Sequence, residues 1–344
     1  MNKKIIAISA GDPSGIGPEI CVKALNNSMI YDLCHPLIVC DSVCIKWAID
    51  FCGLDLKINL IDSPEKGKYT FGTIDILEMS NIDVPNFSYG MVGANTGKAS
   101  FEYVLKVIEL AMLNKVHATV TGPINKEAIR LAGFNFAGHT EIYAHFTGTT
   151  KYAMMLADKH FRVIHVNTHK SMLDSIKSIT VERVLETILL AQKALQNMGI
   201  EQPRIAVNGL NPHAGENGLF GTEEIEFILP AINEAQKLGI HADGPHAPDT
   251  VFPKMQGGQY DCVICMYHDQ GHIPTKLIGF QYNYLLNKWE NMSGVNITLG
   301  LPIIRVSVDH GTAFDKAGKG EANPESMIQA ITYATTFANQ KFNE

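Results

Sequence analysis

Three histidines, His169, His213 and His268, each follow a short apolar run and stand among Gly, Asn and Asp residues. Three neutral imidazoles are a common ligand set for a catalytic divalent ion that keeps a position open for substrate or water. His169 closes Asn167-Thr168-His169. His213 lies in Asn211-Pro212-His213-Ala214-Gly215-Glu216-Asn217-Gly218, a turn-rich stretch that lets backbone approach a ligand, and His268 opens His268-Asp269-Gln270-Gly271-His272. A lone histidine in a chain with thirteen is more often a core or surface group. The repeated placement after an apolar run is what points to a site.

Around these histidines stand groups suited to an anionic substrate. Lys276 follows His268 by eight residues, and Lys276 and Arg305 flank a segment containing Asn296. Fixed cations of this kind hold phosphate and carboxylate, although a solvated lysine is the ordinary alternative. Gly138-His139-Thr140-Glu141 reads as a helix start. There Thr140 would cap, free amides would attract phosphate, and His139 would add a donor. Asp249 and Asp269 are carboxylates that would orient a histidine or move a proton, as would Lys276.

The elements that must position these groups read as alternating strands and helices. Apolar runs predict strands at 4–9, 35–40, 118–121, 162–166, 204–209, 262–267 and 303–307. Amphipathic spacing predicts helices at 17–25, 97–114, 181–196 and 223–237. Such alternation implies α/β layers with a largely parallel sheet, in which chemistry gathers at the carboxyl ends of strands.

Composition narrows the function. The 344 residues are 46% hydrophobic and 18% charged, enough for two lobes. A net charge of −7 lacks the basic excess of a general nucleic-acid surface. No apolar run reaches the roughly 18 residues of a membrane span, and residues 1–10 read as a first strand rather than a signal peptide. Seven scattered cysteines are no disulfide framework, which points to a reducing, cytoplasmic setting; Cys262 and Cys265 lie inside a predicted strand and read as structural.

Two glycine-rich segments bear on a cofactor. Gly11-Asp12-Pro13-Ser14-Gly15-Ile16-Gly17-Pro18-Glu19 links a strand to a helix. It departs from G-x-G-x-x-G, and its prolines remove amide donors, so it reads as an active-cleft loop rather than a pyrophosphate site. The better candidate runs from Asp309 to Pro324. Its Gly311 and Thr312 would lie against NAD or NADP, Asp315 would accept from a ribose hydroxyl, and Asn323 would pair with an adenine edge.

That last segment, with His310-Gly311-Thr312-Ala313-Phe314-Asp315, Ala317-Gly318-Lys319-Gly320 and Ala322-Asn323-Pro324, looks like the cofactor loop of the isocitrate and isopropylmalate dehydrogenases. Six further motifs, in order, resemble the 4-hydroxythreonine-4-phosphate dehydrogenase family of pyridoxine synthesis. They are the Gly11–Glu19 loop, Thr121-Gly122-Pro123-Ile124-Asn125-Lys126, Gly138-His139-Thr140-Glu141, Leu210-Asn211-Pro212-His213-Ala214-Gly215-Glu216, Tyr267-His268-Asp269-Gln270-Gly271 and Gly294-Val295-Asn296-Ile297-Thr298-Leu299-Gly300-Leu301-Pro302.

The resemblance implies an isocitrate/isopropylmalate dehydrogenase-like fold, two α/β/α lobes around a central cleft, divided as 1–125 plus 302–344 and 126–301. It implies a divalent metal (Zn, Mg or Co) on His169, His213 and His268. Substrate contacts would fall on His139, Thr140, Lys276, Asn296 and Arg305, and the active site would form at a homodimer interface. The implied reaction is NAD(P)-dependent oxidation and decarboxylation of 4-phosphohydroxy-L-threonine to 3-amino-2-oxopropyl phosphate. Two features depart from the family: a stretch around 281–293 that it usually lacks, and His272, where pyridoxine-pathway members tend to have an apolar residue. Residues 267–276 look more like a sister branch that oxidises 4-phospho-D-threonate or phosphoerythronate, giving dihydroxyacetone phosphate in sugar-acid breakdown. From the residues alone, a metal-dependent hydrolase and a non-catalytic sugar-phosphate or nucleotide sensor stand as competitors.

Overall fold

A computed structural model describes residues 3–285 and 288–342. The expected stretch at 281–293 therefore falls partly outside the described residues. The chain forms two compact units, Met1–Thr149 with Leu301–Glu344, and Thr150–Gly300.

The first unit holds strands β1 (Ile5–Ser9), β2 (His35–Cys40), β3 (Lys57–Ile61), β4 (Thr73–Glu78) and β5 (Ala118–Thr121). The second holds β6 (Ala153–Asp158), β7 (Phe161–His165), β8 (Ile205–Asn208), β9 (Ala242–His246), β10 (Cys262–Cys265), β11 (Phe280–Asn283), β12 (Lys288–Met292) and β13 (Val295–Leu299). Strand β14 (Arg305–Val308) returns to the first unit.

In the first unit the order is β3-β4-β2-β1-β5-β14, every pair parallel. Strands β1, β2, β5 and β14 are buried almost throughout, as parallel strands covered on both faces must be. In the second unit the order is β13-β6-β7-β10-β8-β9. Pairs β13–β6 and β6–β7 are antiparallel, and the other three are parallel.

Helices Lys126–Leu131 and His139–Thr147 belong to the first unit, so the boundary lies at Thr149 rather than at the expected residue 125. Packing is the reason. Both helices rest on helix Ala94–Met112, and Ile142 and Tyr143 join Phe101, Val104, Val107 and Ile108 in one apolar core. The helices meet closely at Gly97, where a Cβ would lie 2.1 Å from the Ala128 carbonyl oxygen. His139 and Thr140 thus share a unit with Arg305, not with Lys276 and Asn296.

Candidate active site

In the second unit, β7, β8 and β10 lead to His169, His213 and His268, as expected from the sequence. Beyond β10 the chain is helical. His268 begins a helix, His268–Gly279, which packs on β6, β7 and β10. Gly271 and Pro274, both poor helix formers, hide it in the sequence. Once the helix forms, His268, His272 and Lys276 stand at i, i+4 and i+8 on one face.

The His268 ring stacks on that of His272, 3.5 Å between centroids and 9° between planes, and lies 6.3 Å from the His169 ring. Asp269 Oδ1 lies 2.7 Å from His268 Nδ1, which leaves Nε2 as the free electron pair. Asp269 is therefore placed to orient His268. Asp249 is exposed in the first turn of helix Pro248–Gln256 and forms no ion pair among the described residues.

His213 sits in an irregular turn. After β8 the chain turns through the left-handed region at His213, Ala214, Glu216 and Asn217, with φ of 54°, 54°, 45° and 56°. Each such non-glycine residue costs about 1–2 kcal/mol. The buried Glu224 carboxylate offsets part of this by accepting from the amides of Leu210 (2.7 Å) and Asn211 (2.8 Å). The turn leaves His213 exposed beside Phe220 and a cavity of about 500 Å³. Among the described residues, no three His, Cys, Asp or Glu side chains are gathered to hold a metal ion. The donors at His169 and His268 still suit a divalent ion: two imidazoles, one already oriented by a carboxylate.

One histidine that sequence reasoning missed lies at the end of β7. His165 is 1% exposed, and its Nε2 is 3.2 Å from His272 Nδ1. Burial pushes the His165 ring down to about 3, and the His272 ring to about 4, so both are neutral at pH 7. Lys276 extends from the same helix, its Nζ 4.3 Å from the Phe280 ring centroid, and half-buried Asn296 lies on β13.

The first unit carries a cationic cluster. Arg305 on β14 is 2% exposed, donates to Thr121 Oγ1 (3.1 Å) and stands over the Tyr143 ring. Burial lowers it to about 10, still cationic at pH 7. His139 Nε2 is buried without a hydrogen-bond partner. Burial, then Arg305 and Lys126, hold that imidazole well below its usual range. A neutral imidazole beside two cations suits an incoming anion. Lys126 was legible in the sequence only as part of a motif. Thr140 is buried within the first turn of its helix and does not cap it; Gly138 takes the cap position.

The Asp309–Pro324 segment is held by the helix that follows the Gly11–Glu19 loop. The Ile16 amide donates to the Thr312 carbonyl (3.0 Å). Glu19 accepts from the Ala322 amide (2.6 Å) and from Lys23, and Lys23 also donates to the Gly320 and Ala322 carbonyls. Gly311 faces open space, and Asp315 is exposed. The Asn323 Oδ1 accepts from the Glu325 amide (2.8 Å), and the side-chain NH2 is the donor that would meet a base.

Asp12 in that loop is fully buried, and burial raises its carboxyl from 3.8 to about 6, against the Ser14 amide and the Thr96 side chain. Between those two values the folded state binds more protons than the unfolded one, so stability falls as pH rises through that window. Asp12→Asn removes this dependence. In urea melts at pH 4 and pH 7, the variant is expected to gain on the order of 3 kcal/mol relative to the parent between the two conditions. An unchanged difference would refute the assignment.

The described helices include none long and apolar enough to cross a membrane. The family model for pyridoxal phosphate biosynthetic protein PdxA matches residues 32–334. A 4-hydroxythreonine-4-phosphate dehydrogenase from Desulforapulum autotrophicum is 44% identical over 334 residues, covering 97% of this chain and 95% of its own. A Clostridium botulinum protein named "Putative D-threonate 4-phosphate dehydrogenase" is 43% identical over 337 residues, covering 98% of each chain. The crystal structure of a Klebsiella pneumoniae 4-hydroxythreonine-4-phosphate dehydrogenase matches at TM-score 0.86 and 40% identity, with 98% of both chains covered.

Proposed function

The chain belongs to the family of pyridoxal phosphate biosynthetic protein PdxA and is a dehydrogenase of that family, and from that premise we propose that it oxidises and decarboxylates 4-phospho-D-threonate or phosphoerythronate with NAD or NADP. The nicotinamide, when bound, would accept the C3 hydride, and the hydroxyl proton would leave to a base. The resulting 3-keto acid loses C1 as CO2, and C2 takes up a proton, giving dihydroxyacetone phosphate.

Arg305, His139, Thr140 and Lys126 bind the phosphate in this reading. Lys276 and Asn296 bind the remaining substrate oxygens. Gly311, Thr312, Asp315 and the Asn323 amide contact the dinucleotide. His169, His213 and His268 would hold a divalent metal (Zn, Mg or Co), which when bound polarises the C3 alcohol and steadies the charge that decarboxylation develops. Asp269 orients His268. No three such side chains are gathered among the described residues of one chain, and in this reading the set is completed by pairing two copies in a homodimer.

The observation that carries the substrate choice is the environment of His268. Its helix face presents imidazole and ammonium groups, and its adjacent carboxylate, Asp269, is engaged with Nδ1. A C2 ammonium, as in 4-phosphohydroxy-L-threonine, would need carboxylate acceptors and would be repelled by Lys276; a C2 hydroxyl would not. The name of the C. botulinum relative supports the same reading. The D. autotrophicum relative, at 44% identity, favours the second, 4-phosphohydroxy-L-threonine and the vitamin B6 pathway.

NADH or NADPH absorbance, with each substrate and an added divalent metal, separates the two. At least about a tenfold higher kcat/KM is expected for 4-phospho-D-threonate. The reverse ranking moves the chain to the pyridoxine reaction. Phosphate release without reduced cofactor would replace both with the hydrolase.

A further inference from the structure

His272 stands between a buried histidine and an accessible one. On one face its ring lies parallel to that of His268, whose side chain is 41% exposed. At its edge, Nδ1 lies 3.2 Å from His165 Nε2 and 3.0 Å from the His268 carbonyl oxygen. His165 Nδ1 in turn lies 3.4 Å from the Met154 carbonyl oxygen. One proton arrangement satisfies all three contacts. His165 donates from Nδ1 to Met154, and His272 donates from Nδ1, shared between His165 Nε2 and the His268 carbonyl.

The neighbouring residues are shaped around this pair. A Cβ on residue 271 would lie 2.5 Å from His165 Nε2 and 3.0 Å from Cys265 Sγ, so glycine is required where the helix passes β7 and β10. The Thr275 hydroxyl ties to the Gly271 carbonyl at 2.8 Å, fixing the same turn. Packing alone does not call for two imidazoles here. Burying both costs desolvation that an aliphatic pair of similar volume would avoid.

We propose that His272, anchored by His165, is a positioning residue that fixes the ring plane of His268 by stacking, while Asp269 fixes its tautomer. The proposal rests on the reading of His268 as a metal ligand. Together the two contacts leave the His268 side chain one orientation for its free Nε2.

The test is Co(II) titration of the full-length protein, read by visible d–d absorption and by competition with a chelator. His272→Leu fills the space without a ring, and His272→Phe keeps a flat face while losing the bond to His165. His272→Leu is expected to weaken Co(II) binding by about 10- to 100-fold, the range for partners that orient a ligand, and to change the absorption band. His272→Phe is expected to stay within about threefold of the parent, since a ring still stacks. Turnover should follow the same order, with kcat reduced more than KM.

Parent-like affinity and spectrum in a folded His272→Leu protein would overturn the proposal. If that variant does not fold, His272→Ala takes its place: Co(II) affinity within threefold of the parent would overturn the proposal, and a loss of tenfold or more would support it. His268→Ala is the control. Should it bind Co(II) as the parent does, the metal reading itself fails, whatever His272 does.

Discussion

His268→Ala is expected to lower kcat/KM by at least about three orders of magnitude while leaving NAD(P) binding within a few-fold of the parent. Lewis-acid polarisation of a reacting oxygen contributes several kcal/mol, and each 1.36 kcal/mol is a factor of ten in rate. His268 is the candidate ligand whose orientation is most defined, with Asp269 on Nδ1 and a ring face covered by His272. Cofactor binding should survive because the candidate dinucleotide segment lies in the other unit, bonded to helix Gly17–Leu25 through Glu19 and Lys23. The measurements are steady-state formation of reduced cofactor and fluorescence titration with NADH or NADPH. Turnover within tenfold of the parent would remove His268 from the chemistry.

Arg305→Met is expected to cost on the order of 10²- to 10⁴-fold in kcat/KM. A buried guanidinium facing phosphate makes charge-assisted hydrogen bonds of about 1.5–3 kcal/mol each, and a fork supplies two. Arg305 is a buried cation that donates to the Thr121 hydroxyl, stands over the Tyr143 ring and is attracted by Glu141, so removing it also lowers stability. Activity is therefore compared at a temperature well below the melting temperature of the variant. Arg305→Lys should recover only part of the loss, since a point charge does not reproduce the fork. Unchanged kinetics in Arg305→Met would place the phosphate elsewhere.

How much of this was legible beforehand follows from local chemistry. Strands β1, β2, β5, β7, β8, β10 and β14 were readable because buried parallel strands are runs of Ile, Val and their like. Strand β6, Ala153–Asp158, was not: Ala-Met-Met-Leu-Ala-Asp has little β-branched character, and its strand form depends on pairing with β7 and β13. The helix carrying His268 was missed because Gly271 and Pro274 argue against it locally, although Gly271 is where the backbone must clear His165. His165 itself gave no signal, since one histidine inside Phe161–His165 looks like any strand residue until His272 is seen beside it.

The three histidines were given by the sequence as donors of the right kind, each at the end of a strand, and the family resemblance followed from motifs that are local in the chain. Only the tertiary structure decided which of them share a face. His268 and His272 stack because a helix that packs against β6, β7 and β10 sets them one turn apart, and His213 is exposed on a left-handed turn held by Glu224. Donor identity is a property of single residues and short spacings. Ring contacts depend on burial and backbone handedness, which are settled by residues far away in the chain.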